Sequence, residues 1–185
     1  MTRIRKILVL GPNSEIARDM IKKFNPKYFI FFMSHRKQIL NKWLHENKIK
    51  NYKVINSSKI KKTFEIDVIL NFIGSGDPKK TSNLKEEFSN INNQYDNMCI
   101  DYLKNNKKTQ YIYFSSGSIF TKLDSKPINN KSKIYKKDIF NNIYKKIKYF
   151  TEKKHRRLKS LKIIDLRIFN YFSASQNLNN SYFIC

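Results

Sequence analysis

Ile7-Leu8-Val9-Leu10-Gly11-Pro12-Asn13-Ser14-Glu15-Ile16-Ala17 decides the architecture of this chain. The apolar run 7–10 shows no polar alternation and is too short for a helix, so it reads as a strand buried on both faces. Gly11-Pro12 ends it. Asn13 or Ser14 then stands as N-cap of a helical run whose apolar positions Ile16, Met20, Ile21 and Phe24 share one face. A buried strand that feeds a helix through a glycine turn is the opening unit of an open parallel sheet.

Outward from this unit the alternation repeats. Residues 4–10 and 28–33 read as strands around a helix at 15–24. Residues 38–47 carry helical spacing through Ile39, Leu40, Trp43 and Leu44. A short strand follows at 52–55, and a buried one at 67–73 ends at Gly74. Residues 84–103 predict a long helix with a polar face, 111–114 a strand, 139–158 a basic helix and 163–168 a last strand. Strands apolar on both faces and separated by helices imply an α/β, doubly wound parallel sheet, the Rossmann fold, with helices on both faces. In such sheets ligands sit at the carboxyl ends of the strands. Pro127 and the surrounding asparagines make 125–133 the expected surface loop, and there is no internal repeat.

At 185 residues, with 40% hydrophobic content, one folded domain is expected. No stretch is long and apolar enough to span a bilayer, and Gly11-Pro12 interrupts the first apolar run before a signal-peptide core forms, so the expected location is cytoplasmic. Cys99 and Cys185 have no metal-ligand spacing and imply no disulfide framework. The net charge of +24 attracts polyanions whatever the fold. The lysines are nevertheless spread along the whole chain, and the RNP aromatic consensus, zinc-finger spacing and basic-zipper pattern are missing. No specific nucleic-acid partner is therefore expected, and the run Lys153-Lys154-His155-Arg156-Arg157 reads as a solvated helix face.

Chemistry is legible at three places. At the first turn, Gly11, Asn13, Ser14, Glu15 and Ile16 aim backbone N–H groups and a helix N-terminus at one spot, which suits a pyrophosphate. Gly11 and Ala17 fit the first and last small positions of a dinucleotide fingerprint, while Ser14 stands where a second glycine is common; the plain alternative is an ordinary capped turn. After the second strand, Ser34-His35-Arg36-Lys37 offers Arg36 where an acidic residue would accept the ribose of NAD. That favours NADP, with NAD as the other choice; the alternative is a solvated Arg-Lys pair. Third, Tyr144-Lys145-Lys146-Ile147-Lys148 places a phenol one turn before an ammonium, and Glu152 continues the face. An ammonium there lowers a phenol pKa from about 10, so that the phenol can exchange a proton while hydride moves. Tyr149 to Lys153 matches the same spacing, but Lys148 and Glu152 extend only the Tyr144 face.

These segments, with Asp67-Val68-Ile69-Leu70-Asn71-Phe72-Ile73-Gly74, Tyr113-Phe114-Ser115-Ser116-Gly117-Ser118 and Leu166-Arg167-Ile168-Phe169-Asn170, resemble the extended short-chain dehydrogenase/reductases, the NAD-dependent epimerase/dehydratase family. The resemblance implies that Ser116 orients a substrate hydroxyl or carbonyl, Tyr144 is the general acid/base, and Lys148 binds the nicotinamide ribose and tunes Tyr144. Ser118 is the fallback for Ser116. The resemblance places Asn71, Phe72, Ile73 and Gly74 beside the dinucleotide. Asn93 or Asn90 is the candidate helix asparagine, and Arg167 and Asn170 match the motif after the sixth strand, with a structural role or substrate contact both open for Arg167.

The implied activity is NAD(P)-dependent oxidoreductase, epimerase or dehydratase chemistry on a carbonyl or hydroxyl of a nucleotide-sugar, in polysaccharide biosynthesis. The alternative is a catalytically inactive NADP-binding sensor or scaffold, or a truncated relic of such an enzyme. Two departures stand out: the bulky Ile73, expected to crowd the cleft, and the length. Residues 1–170 correspond to the dinucleotide-binding domain and 171–185 to a truncated start of the substrate-binding region. An uncovered sheet edge leads to an expectation of self-association, with a homodimer as its simplest form.

Overall fold

The computed structural model describes residues 4–55, 60, 64–74, 85–120, 128, 132, 134, 136–169 and 171–173. Six strands form one sheet in the order β3-β2-β1-β4-β5-β6: β1 Lys6–Leu10, β2 Phe29–Met33, β3 Tyr52–Ile55, β4 Val68–Asn71, β5 Gln110–Ser116 and β6 Ile163–Ile168. Every neighbouring pair is parallel. The order reverses between β1 and β4, where Leu8 pairs with Ile69 and Leu10 with Asn71, so a crevice opens at the carboxyl ends of these two strands.

Helices α1 Glu15–Phe24 and α2 Lys37–Glu46 cover one face of the sheet. Ile7, Val9, Ile30, Phe32, Leu70 and Phe72 meet Ala17, Ile21, Leu40, Trp43 and Leu44 there. The opposite face packs under α3 Lys85–Asn105 and α5 Ile143–His155. Leu8, Leu10, Phe31, Ile69, Tyr111 and Tyr113 meet Cys99, Tyr102 and Leu103 on that side. Among the described residues no helix is long and apolar enough to cross a membrane.

Several boundaries differ from the sequence reading. The strand expected at 67–73 stops at Asn71, because the Ile73 amide turns back to donate to Asn71 Oδ1 at 2.9 Å. The strand expected at 111–114 runs on through Ser115 and Ser116, whose backbones pair with Arg167 and Ile168 of β6. The single helix expected at 139–158 is two: α4 Lys136–Phe140, then α5, which Asn142 restarts by accepting from the Lys145 amide at 3.1 Å. The first strand begins at Lys6 rather than at position 4, and Ile4 is exposed. Not every strand is apolar on both faces either. β3 and β6 lie at the sheet edges, and Ile164 and Leu166 of β6 are exposed. Most of the expected surface loop at 125–133 lies outside the described residues, as does Cys185.

Beyond β6, residues 171–173 reach α1. The Tyr171 hydroxyl donates to Asp19 Oδ2 on α1 at 2.7 Å, and Ser173 reaches the same oxygen. Burial and the Asp19 carboxylate push the Tyr171 phenol up to about 12.

Candidate active site

Gly11 has φ +67°, a conformation that side chains rarely adopt, and a Cβ on it would lie 3.0 Å from the Ile73 nitrogen and from the Phe72 carbonyl carbon. Glycine is therefore required here for two reasons, left-handed backbone and close approach of β4. The Ser14 amide donates to the Gly11 carbonyl at 3.2 Å, and the Ser14 hydroxyl caps α1 by accepting from the Ala17 amide. Of the two candidate caps, Ser14 is the one used. Asn13 instead reaches sideways: its amide donates to Ser34 Oγ at 3.2 Å, and that hydroxyl also accepts from the Arg36 backbone at 3.1 Å. The β1–α1 turn and the end of β2 are thereby tied together. Glu15 and Ile16 form the first turn of α1. The Arg36 side chain is exposed and caps nothing in α2.

Ser116 ends β5 and starts a single 3-10 turn, Gly117–Ile119. Its hydroxyl donates to Ser118 Oγ at 2.9 Å and accepts from the Ser118 amide at 3.2 Å. Ser116 also lies close enough to act on Tyr144: burial raises that phenol, and the Ser116 hydroxyl partly opposes the rise. Ser116 and Tyr144, 28 positions apart in the sequence, therefore meet, and Ser118 stands behind Ser116 as its partner. The turn is shaped by Gly117, where a Cβ would run into the Phe169 ring.

Lys148 is 3% exposed, with Nζ 2.7 Å from the Phe114 carbonyl and 3.4 Å from the Ile73 carbonyl. The ammonium lies 4.4 Å from the centre of the Tyr113 ring and 5.7 Å from that of Tyr144. Burial lowers its pKa to about 7, while Asp96, Glu152 and Asp165 pull the other way. A Cβ on Gly74 would sit 3.3 Å from Nζ, so only a small residue leaves the ammonium room. Lys153, the rival lysine, is exposed; the two tyrosine–lysine spacings are separated by burial alone.

Glu152 is 1% exposed and accepts from Ser115 Oγ at 2.6 Å, Arg167 Nε at 2.9 Å, Arg167 Nη2 at 2.6 Å and Arg156 Nη2 at 2.9 Å. Burial alone would raise this carboxyl; the Arg167 and Ser115 bonds outweigh it and hold the pKa below the usual range. Arg167 is thus committed to a two-pronged ion pair, with its guanidinium 4.8 Å from the centre of the Phe120 ring. Of the two readings left open for Arg167, the structural one describes its contacts. Asn170 lies outside the described residues.

Asn71, 1% exposed, accepts from the Ile73 amide and donates to the Tyr111 hydroxyl at 2.8 Å. Phe72 stacks on Phe114 with ring centres 3.9 Å apart. Ile73, expected to crowd the cleft, packs its side chain partly against the apolar cluster on the α3 side. Asn90 and Asn93 are exposed, whereas Asn92 between them is buried, donates to the Phe88 carbonyl at 2.8 Å, and its own buried carbonyl oxygen finds no hydrogen-bond partner among the described residues. Three asparagines in four positions offer no polarity contrast by which a sequence could single out the buried one. A groove between α3 and α5, lined by Asn93, Ile143, Lys146 and Phe150, contains none of Ser116, Tyr144 and Lys148.

Three solved structures share this architecture. A UDP-N-acetylglucosamine 4-epimerase from Methanobrevibacter ruminantium M1 in complex with UDP-N-acetylmuramic acid is 15% identical, with a TM-score of 0.79 over 98% of this chain and 60% of its own. A UDP-glucuronic acid 4-epimerase from Bacillus cereus in complex with UDP-glucuronic acid and NAD is 15% identical, with a TM-score of 0.71 over 88% of this chain and 55% of its own. A UDP-glucose 4-epimerase from Bifidobacterium longum in complex with NAD+ and UDP is 18% identical, with a TM-score of 0.68 over 88% of this chain and 52% of its own. Likeness at this identity is one of fold, and the chain spans no more than 60% of each of these proteins. No curated protein matches the chain in sequence. Residues 7–184 match the model of the NAD dependent epimerase/dehydratase family, and the chain belongs to that family.

Proposed function

We propose that this chain binds a nicotinamide dinucleotide across the crevice between β1 and β4 and carries the catalytic half of a nucleotide-sugar epimerase, dehydratase or reductase. The observation that carries the proposal is the convergence of Ser116, Tyr144 and Lys148 at the carboxyl end of β5, beside the glycine turn of β1. The turn fits the ligand: Gly11 leaves a cradle that a Cβ would fill, and the N-terminus of α1 behind it supplies backbone donors for a pyrophosphate. When bound, the dinucleotide supplies hydride acceptance and return. Gly11, Asn13, Ser14, Glu15 and Ile16 line the phosphate side, and Asn71, Phe72, Ile73, Gly74 and Lys148 the other. Arg36, exposed at the end of β2, favours the 2′-phosphate of NADP over NAD. Residues 1–170 form the dinucleotide-binding unit, and the segment from 171 begins the substrate-binding region.

In this reading Ser116 orients the sugar hydroxyl or carbonyl and Tyr144 exchanges its proton. Tyr144 is buried enough that its phenol is raised, so it is an inefficient base unless a cation is near. Lys148 is that cation. Its buried ammonium lies 5.7 Å from the centre of the Tyr144 ring, and the field of a charge is stronger away from water. Because burial holds Lys148 to about 7, the cation is fully formed only below that value, and proton abstraction by Tyr144 weakens as pH rises through it. With a dinucleotide bound to accept hydride, Tyr144 would exchange the accompanying proton, so loss of the phenol would remove the proton path.

The test is incubation of the wild type with NAD or NADP and a panel of UDP-hexoses, with reduced-nicotinamide fluorescence and product analysis as readouts. Turnover that falls by about 10²–10⁴-fold in Tyr144→Phe supports the enzyme. Dinucleotide binding without turnover, unchanged by Tyr144→Phe, instead makes the chain a binding sensor or scaffold.

A further inference from the structure

His155 sits in a run of five basic residues yet is 5% exposed, and both its ring nitrogens face carboxylates. Nδ1 lies 2.5 Å from Asp165 Oδ1 on β6, and Nε2 lies 2.9 Å from Asp96 Oδ1 on α3. The same Asp96 oxygen accepts from the Tyr111 hydroxyl at 2.8 Å. Tyr111 in turn accepts from the Asn71 amide at 2.8 Å, and Asn71 Oδ1 holds the Ile73 amide at 2.9 Å. The chain of bonds crosses three strands of the sheet, from its β6 edge to the turn beside Gly11 and Lys148.

Resting on the reading above, we propose that His155 is a positioning residue: clamped between Asp96 and Asp165, it fixes Tyr111, Asn71 and the Ile73 backbone on the dinucleotide side of β4. Each bond in the series has only one allowed direction. The Ile73 N–H must donate, so Asn71 presents its oxygen to Ile73 and its NH₂ to Tyr111. The Tyr111 oxygen accepts there, so its single proton goes to Asp96. Asp96 and Asp165 are both acceptors, so His155 meets both only when both its nitrogens carry protons. Burial alone would favour the neutral ring; the hydrogen bonds to Asp165 and Asp96 overcome it and raise His155 to about 9. Loss of that proton leaves a ring lone pair against a carboxylate, and the constraint on the Tyr111 hydroxyl and the Asn71 amide is released.

Groups on every element packed around His155 enter this balance. From β5 come Tyr111 and Tyr113, with rings edge-on at 5.6 and 5.4 Å, and their phenols are pushed up chiefly by burial. From α3 come Asp96, which also pairs with Lys154, and Cys99, a buried thiol pushed up by burial and by Asp96. Asp165 comes from β6. From α5 itself comes Lys148, whose ammonium lies against Tyr113; burial lowers its pKa, and Asp96, Glu152 and Asp165 oppose that. Two steps are therefore expected in any pH profile of the cleft, one near 7 from Lys148 and one near 9 from His155.

The experiment is an amide NMR titration of the dinucleotide-free chain, following Ile73 and the His155 ring in the wild type and in Tyr111→Phe. That variant cuts the series while leaving His155 and both aspartates in place. In the wild type the Ile73 amide shifts with the His155 step near 9; in Tyr111→Phe His155 still titrates and Ile73 no longer follows it. An Ile73 amide that ignores the His155 step in the wild type, or still follows it in Tyr111→Phe, overturns the proposal. Parallel titrations with NADH and NADPH extend the test: affinity falls through the same step in the wild type and not in the variant. Absence of any dinucleotide binding refutes the functional reading alone, because the Ile73 result still decides the role of His155.

Discussion

The two faces of the sheet are built on different principles. Against α1 and α2 the buried side chains are almost entirely apolar, and Leu40, Leu44, Ile21 and Phe32 are excluded from water with no polar partner to satisfy. Against α3 and α5 lie Asp96, Lys148, Thr151, Glu152 and His155, each at most 5% exposed. Burying ions is costly unless they are paired, and a hydrophobic substitute of the same shape is often as stable or more so. The first face therefore adds stability through apolar burial alone, whereas the second adds charged groups to its own apolar core, and the proposed function gives a reason for retaining them. The difference teaches where buried ions gather in this molecule: on the side that carries Tyr144, at the strand ends where the proposed site lies.

Single substitutions sharpen this contrast. Glu152→Ala leaves the half-buried Arg167 without its two-pronged partner and is expected to cost about 3–5 kcal/mol near neutral pH. Leu44→Ala on the other face opens an apolar cavity and is expected to cost about 2–5 kcal/mol. Their magnitudes overlap, but their pH dependence does not. The Glu152 carboxyl is held below its unfolded value, so its contribution is present above the ordinary carboxylate range and is lost as pH falls through the folded value. Urea unfolding across acid pH should show the Glu152→Ala deficit shrinking while that of Leu44→Ala stays constant. A constant deficit in both variants would erase the distinction between the faces.

Arg36→Ala tests a smaller effect, away from both cores. Its guanidinium is exposed, so stability should change by less than about 0.5 kcal/mol. Fluorescence titration should show NADPH affinity weakened by about tenfold, the equivalent of one charge-assisted contact, with NADH unaffected. Equal weakening of both dinucleotides would mean that Arg36 does not read the 2′-phosphate.

Residues that interact with sequence neighbours were readable in advance. Buried runs such as Ile7 to Leu10 and Val68 to Leu70 announce parallel strands, and Gly11 followed by Ser14 announces a tight turn into a capped helix. The Tyr144–Lys148–Glu152 face was visible because helical spacing puts the three in line. Polar residues were read less well, and most of those misread have partners far away in the sequence. Ser115 and Ser116 looked like loop because serine is a poor strand former, yet pairing with β6 keeps them in the sheet. Asn142 looked like part of a continuous helix and is the cap that interrupts it. His155 looked solvated among lysines and arginines; its partners Asp96 and Asp165 come from another helix and another strand, so only the folded chain reveals it.

The central claim is that the Gly11 turn holds a dinucleotide, and titration of the wild type and Gly11→Val with NADH and NADPH tests it most directly. A side chain at φ +67°, 3.0 Å from the Phe72 and Ile73 backbone just after β4, forces that turn to move, at a strain of about 1–3 kcal/mol. Saturable binding by the wild type, lost in Gly11→Val while its circular dichroism stays native, is the predicted result. A wild type that binds neither dinucleotide, or a folded Gly11→Val that binds as well as the wild type, would contradict it.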